Sequence, residues 1–182
     1  MTELLPLVPG SSWTLAVSDG SGKMQGECRL VLEATGDAGV YRLRGENAAG
    51  PSVFTARVHR EEDQTLLGFR GLSIPVLKDP MPPEGRWTFT AESPLGAVIA
   101  GRVACDRLTA AEAGVSGVAS ETLLVSVLVE LRSGSRKSYE GFTFAEGIGF
   151  VELAHSEDGR SWDRMKIITH TIPGRTLVEI ER

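Results

Sequence analysis

Short runs of alternating apolar and polar residues, separated by turn residues, dominate the chain. The runs at residues 12–18, 28–34 and 40–46 each end in a glycine-containing turn, and most place arginine or glutamate between apolar positions. A period of two is that of a strand with one buried face. Closely spaced turns favour antiparallel neighbours over strand–helix–strand units. We therefore predict a mainly β protein, a curved antiparallel sheet or half-barrel with at most one or two short helices.

A proline-rich stretch interrupts this pattern near the middle of the chain. Residues 74–85 contain four prolines in twelve residues, which excludes a helix and makes a poor central strand. The length of 182 residues suits one domain. We predict a single domain, residues 1–182, built from two similar meanders at about residues 5–73 and 80–182 that this stretch connects.

The two predicted meanders begin with similar sequence segments. "PLVPGSSWTL" contains Trp13, and "PPEGRWTFTA" contains Trp87, each shortly after a proline and a glycine. Aromatic side chains are mostly core residues, so we expect each tryptophan to anchor its strand on a shared core. The alternative is that the two rings line the mouth of a ligand site.

The run at residues 123–131 is apolar on nearly both faces. Only Ser126 and Glu130 interrupt it, which is typical of a central strand covered on both sides. Either protein or an apolar ligand in a concave sheet could supply that cover. We predict an apolar cavity lined partly by this run. The candidate ligand-binding residues are Trp13, Trp87, Leu124, Ser126 and Leu128.

Two further segments carry local predictions. Residues 109–121 are rich in small side chains and favour a short helix or a long loop. Asp158-Gly159 stands between two alternating runs and predicts a two-residue type I′ hairpin turn. In that register His155 lies opposite Trp162.

The charge of the chain, its apolar runs and its cysteines indicate which partners and which cellular location to expect. A net charge of -5 argues against nucleic acid as a partner. No apolar run is long enough for a membrane span, and the opening residues lack the pattern of a signal peptide. We expect a cytoplasmic protein and leave association with the cell envelope open. In a reducing cytosol Cys28 and Cys105 are predicted to stay unbridged.

The residue types that carry chemistry form no recognisable constellation. His59, His155 and His170 lie in different predicted strands, and no two stand at metal-ligand spacing. No nucleophile motif or phosphate loop is found. We expect no metal, no cofactor and no catalytic residue.

Four segments, taken in order, carry a resemblance to a family. "LLPLVPGSSWTL", "DPMPPEGRWTF", "EAGVSGVASETLLVSVLVEL" and "FTFAEGIGFVEL" resemble a group of uncharacterised bacterial β-rich proteins with repeated P-x-x-G-x-x-W elements and a yfApGvGlV-like segment. The resemblance extends from Leu5 to His170. It implies a curved sheet similar to the lipoprotein carriers of the LolA/LolB type, which hold acyl chains on a concave face. It transfers no catalytic residue, and this chain has no lipobox cysteine near its start.

Three functional interpretations follow from these patterns. The first is a noncatalytic protein that binds a lipid or another hydrophobic ligand in a concave sheet. The second is a protein-interaction or assembly module that uses exposed strand edges, with a protein partner or a second copy of itself. The third is an enzyme whose site is not recognisable from the sequence, which we consider the weakest because no catalytic constellation is found.

Overall fold

The computed structural model describes residues 4–47, 50–69, 71–113, 115, 118–174 and 178–179. These residues form a sheet of 13 strands and one four-residue helix. The elements are β1 (Ser12–Ser18), β2 (Met24–Ala34), β3 (Val40–Asn47), β4 (Gly50–Glu61), β5 (Gln64–Phe69), β6 (Leu72–Lys78), β7 (Arg86–Glu92), β8 (Val98–Thr109), α1 (Ala110–Ala113), β9 (Leu123–Ser133), β10 (Arg136–Ala145), β11 (Gly149–Ser156), β12 (Asp163–Thr171) and β13 (Val178–Glu179). The predicted fold class is confirmed.

The strands form one antiparallel path that curls until it is nearly closed into a barrel. The order is β6-β5-β4-β3-β2-β1-β12-β11-β10-β9-β8-β7, and β13 pairs with β12 beside the path. Two runs of six consecutive strands therefore meet where β1 pairs with β12. The proline-rich segment links the two edge strands, β6 and β7. It begins later than expected, because residues 74–78 belong to β6. Similarity between the two runs stays a prediction.

Aromatic and aliphatic side chains fill the inside of the curled sheet. Trp13 is fully buried, and its ring meets Phe150 edge-on with ring centroids 5.4 Å apart. Phe144 packs against Phe150 at 5.2 Å between centroids. Removal of this apolar surface from water supplies the main driving force for the fold.

The pleat of β9 decides which of its residues face that core. Val125, Val127 and Val129 are buried inside, whereas Leu128 points outward and is 43% exposed. Leu124 also points outward, but α1 covers it through a small separate cluster that includes Ala110. The strand is central, with β8 and β10 on its two sides. Its outer face is covered only at one end.

The hairpin between β11 and β12 corrects a prediction. His155 pairs with Asp163, not with Trp162. Gly159 has a φ of 75°, but Asp158 does not have the positive φ that a type I′ turn requires. Instead, the Asp158 carboxylate accepts hydrogen bonds from the N–H groups of Arg160 and Ser161, at 2.7 and 3.0 Å. A wider loop forms because these bonds satisfy backbone donors that a tight hairpin would pair across the strands.

The two edges of the sheet meet along a seam between β6 and β7. No ladder joins these two strands within the described part of the chain. Side chains bridge the seam instead: the Trp87 indole N–H donates to the Pro75 carbonyl oxygen at 3.3 Å. Farther along, Gly71 lies against the ring of Pro94. The seam is thus closed by contacts that are fewer than those of a paired strand.

Candidate ligand pocket

A notch interrupts the wall at one end of the seam, because β7 is five residues shorter than β8 and begins only opposite Ala104. Its first residue, Arg86, pairs with Ala104, whereas β8 continues to Thr109 and β6 to Lys78. The Cys105 N–H donates to the Gly85 carbonyl oxygen at 2.7 Å. Beyond that bond, residues 106–109 of β8 are paired only with β9.

A pocket of about 640 Å³ occupies this notch. Its wall comes from the ends of β4, β5, β6, β8 and β9, from the turn after β10 and from the N-terminal segment. The lining residues are Leu4, Leu5, Arg60, Glu62, Asp63, Gln64, Thr65, Leu77, Lys78, Asp79, Met81, Arg107, Leu123, Val125 and Glu146. A volume of this size falls within the range of small-molecule sites.

The deep part of the pocket is apolar. Val125 and Leu77 are buried members of the main core that also line the pocket, and Leu123 is half-buried beside them. Leu5 covers the pocket from the N-terminal segment and is itself buried. The pocket therefore opens directly onto the core at its inner end.

Charged side chains of both signs surround the mouth. Arg60, Lys78 and Arg107 are the cations, and the carboxylates are Glu62, Asp63, Asp79 and Glu146. One guanidinium nitrogen of Arg60 donates to the Leu5 carbonyl oxygen at 3.4 Å, which ties the N-terminal segment to β4. The Asp79 N–H donates to the Asp63 carbonyl oxygen at 2.7 Å and so fixes the opposite rim.

The structure does not bring the five predicted ligand-binding residues together. Trp13 is buried, and its indole N–H donates to the Ile148 carbonyl oxygen at 2.7 Å. Trp87 is half-buried on the seam. Leu124, Ser126 and Leu128 lie on the outer face of β9, away from the pocket, and their role in binding stays a prediction.

Leu123 and Val125 line the pocket but were not among the predicted ligand-binding residues. They belong to β9, the strand that also carries Leu124, Ser126 and Leu128. They lie on the other face of β9, and a shift of one residue in a strand exchanges the two faces. The signal that could have found them is the uninterrupted alternation of Leu123, Val125, Val127, Val129 and Leu131.

The two cysteines lie outside the pocket lining. Both cysteines are free and buried, as predicted, on β2 and β8. Burial raises the pKa of the Cys28 thiol, and burial raises the pKa of Cys105 to about 12. Such thiols are poor nucleophiles because the thiolate is the reactive form.

A histidine–carboxylate pair lies far from the pocket. His155 Nδ1 is 2.9 Å from Oε1 of the buried Glu140. A base oriented by a carboxylate requires a nucleophile within hydrogen-bond reach before it can act. In the part of the chain that the structure describes, no hydroxyl or thiol is hydrogen-bonded to His155. Within the same described residues, no group of three metal-ligating side chains is found, and no helix has the length and apolar character needed to cross a bilayer.

Comparisons with known proteins give the fold and no family. The sequence matches no protein-family model and no curated protein sequence. A "putative exported protein with YmcC-like fold" from Bacteroides fragilis NCTC 9343 is similar in structure, with 10% identity, a TM-score of 0.50, and coverage of 94% of this chain and 100% of that chain. A "putative lipoprotein" from Parabacteroides distasonis ATCC 8503 has 9% identity, a TM-score of 0.48, and coverage of 93% and 99%. The Bacteroides fragilis protein shares the fold.

These comparisons correct the expected location. The Bacteroides fragilis protein that shares the fold is named as an exported protein, which contradicts the expectation of a cytoplasmic protein; that expectation is wrong. The absence of a recognisable leader was not a sufficient basis for it. The bacterial, β-rich character of the resembled group agrees with the comparisons. The repeated element and the LolA-like relationship stay predictions.

Proposed function

We propose that this protein is a noncatalytic binding protein that takes the apolar part of a lipid or another small hydrophobic molecule into the notch between β6 and β8. The observation that carries the proposal is the pocket of about 640 Å³ with Leu77, Leu123 and Val125 at its inner end. A second cavity among the described residues, beside Leu7 and Tyr41, has a volume of only about 180 Å³, so the notch is the better place for a ligand. An extracytoplasmic location belongs to this proposal.

The size and shape of the pocket favour a slender ligand. Neighbouring strands lie about 4.8 Å apart, so the missing end of β7 leaves a slot roughly two such spacings wide. Transfer of apolar surface into that slot contributes about 25 cal/mol per Å² before the cost of association is subtracted. A single alkyl chain or a small ring fits these limits.

A titration with the neutral fluorescent probe N-phenyl-1-naphthylamine tests the proposal. We expect saturable binding to the native protein and at least a tenfold loss in Leu123→Trp, because the larger ring fills the slot. Leu128→Trp is the matched control: it adds the same ring to the same strand on the outer face, and binding should not change. No saturable binding to the native protein, or equal binding by both variants, would refute the proposal.

A specific observation also supports the second interpretation, a protein-interaction module. Among the described residues, β6 pairs only with β5, and residues 106–109 of β8 pair only with β9. Unpaired edges are templates for strand addition. Sedimentation would then reveal a stable oligomer, and the amides of β6 would gain hydrogen-exchange protection on assembly. A monomer at all concentrations with unprotected β6 amides contradicts this alternative.

A further inference from the structure

Arg107 lies at the mouth of the notch, next to its apolar floor, and its side chain is exposed. On β8 it continues the inward series of Val103 and Cys105, and it lies directly opposite Val125 of β9. Alternate residues of an antiparallel strand direct their backbone groups to the same side. Because the Cys105 N–H points to Gly85, Arg107 turns its own N–H and C=O into the notch. Its side chain and its backbone thus both face the pocket.

Within the described part of the chain, the guanidinium of Arg107 forms no ion pair. No carboxylate comes within ion-pair distance of it, and its side chain makes no hydrogen bond there. By contrast, three outward-facing arginines, Arg44, Arg132 and Arg164, are each bound to a glutamate. A guanidinium beside an apolar floor is a suitable partner for a planar or tetrahedral anion, which it can bind with two parallel hydrogen bonds.

We infer that the pocket selects amphiphiles with an anionic head group, a carboxylate or a phosphate, and that Arg107 binds the head while the chain lies on Leu123 and Val125. This inference rests on the proposed function. The ladder position next to Val125 places Arg107 where the polar end of a buried chain emerges. Arg60 lines the same pocket from β4, on the other wall.

The carboxylates at the mouth of the pocket favour a cationic head group and compete with Arg107 in selecting the ligand. Glu62, Asp63 and Asp79 are exposed, as Arg107 is, so water and salt weaken the effect of all four charges. Arg107 has the advantage of position, because it lies directly opposite Val125 of the floor.

Glu146 is the carboxylate nearest the apolar floor. Its backbone N–H donates to the Leu123 carbonyl oxygen at 3.0 Å, which holds the residue beside that floor. If Glu146 dominated, the pocket would prefer an amine.

Displacement of the bound neutral probe by four dodecyl compounds, each below its micelle concentration, distinguishes these cases. We expect dodecanoate or dodecyl phosphate to displace the probe at a concentration at least about tenfold lower than dodecanol, since hydrogen bonds to charged groups contribute more than neutral ones. Dodecylamine should be the weakest. Arg107→Gln should abolish the advantage of the anion and leave dodecanol unchanged, and Arg107→Lys should keep part of it.

The variants also separate the possible failures. Displacement by dodecanol is the internal control for an intact pocket, and Glu146→Gln should preserve the preference for the anion. Equal displacement by dodecanol and both anions, survival of the preference in Arg107→Gln, or tightest binding of dodecylamine would overturn the inference. In each of those cases the probe still binds and the proposed function stands. Failure of the probe itself to bind would remove the proposed function instead.

Discussion

Trp13 and Trp87 occupy the same place in their strands and have different surroundings. Each is the second residue of its strand and follows a proline and a glycine. β1 has neighbours on both sides, and Trp13 is fully buried with an indole hydrogen bond of 2.7 Å. β7 has only β8, and Trp87 is half-buried with a bond of 3.3 Å across the seam. Local sequence sets the start of the strand, whereas the neighbouring strands set the burial of the ring.

The difference gives the two rings different structural roles. Trp13 fills the core next to Phe150 and packs against the start of β11, where a Cβ added at Gly149 would lie 2.9 Å from its ring. Trp87 closes a gap between strands that have no ladder between them. We therefore expect Trp13 to stabilise the whole fold and Trp87 to stabilise mainly the seam.

The largest expected effect is that of Trp13→Ala. Removal of a fully buried indole should lower the free energy of unfolding by about 3 to 5 kcal/mol, because it leaves a cavity in the core. Trp87→Ala should cost clearly less, about 1 to 2 kcal/mol, since the ring is half-exposed. Urea denaturation followed by circular dichroism measures both values. Equal losses would break the comparison.

A disulfide across the seam should have the next largest effect. A Cβ at Gly71 would lie 3.8 Å from the Cβ of Pro94, which matches the usual separation in a disulfide. The double variant Gly71→Cys/Pro94→Cys should gain about 1 to 3 kcal/mol when oxidised, after strain at the positive φ of Gly71 is subtracted.

Thiol counting and denaturation together assess this cross-link. Two free thiols in denaturant without reductant, and four with it, would show that one bridge has formed, and peptide mass spectrometry without reductant would show that it joins residues 71 and 94. In the oxidised protein, Trp87→Ala should cost less than in the reduced one, because the bridge takes over part of the closure. An unchanged cost would contradict the role given to Trp87.

A moderate dependence of stability on pH should come from His170, a neighbour of Trp13. His170, opposite Trp13 on β12, is buried, and its Nδ1 has no hydrogen-bond partner in the described residues. Burial lowers the pKa of His170 from its ordinary value of 6.5. Its contribution to stability is therefore complete above pH 6.5 and declines as the pH falls through the lower value in the folded state.

The variant His170→Phe isolates this contribution. Its denaturation midpoint should fall less than that of the native protein between pH 7 and pH 5, since the other titrating groups are common to both. Parallel pH profiles of the two proteins would show that His170 does not carry the effect.

The smallest expected effect is a local change in cysteine accessibility. In the native protein both thiols should react slowly with iodoacetamide, because both are buried and burial raises the pKa of each. Trp87→Ala should speed modification of Cys105, which is bonded to Gly85 beside the seam, and should leave Cys28 unchanged. Peptide mass spectrometry reads the two sites separately. Equal acceleration at both would indicate global loosening.

The fold class could be read from the sequence because alternation and turn residues are local signals. The prolines also indicated correctly that residues near 74–85 do not form a central strand, since Pro75 lies on the edge strand β6. The inward face of β9 could also have been chosen, because alternate residues from Leu123 to Leu131 are all apolar, whereas Ser126 and Glu130 interrupt the other face. The pocket could not be predicted from the sequence, because it depends on where β7 begins relative to β6 and β8.

The pairing of β1 with β12 has a consequence for synthesis of the chain. Ser12 pairs with Thr171, so one edge of β1 finds β2 early, whereas its other partner is among the last segments to leave the ribosome. At about 5 to 20 residues per second, that edge stays open for about 8 to 30 seconds. Open edges invite intermolecular pairing. Nascent chains of this protein should therefore depend on holding factors until residues 163–171 have emerged.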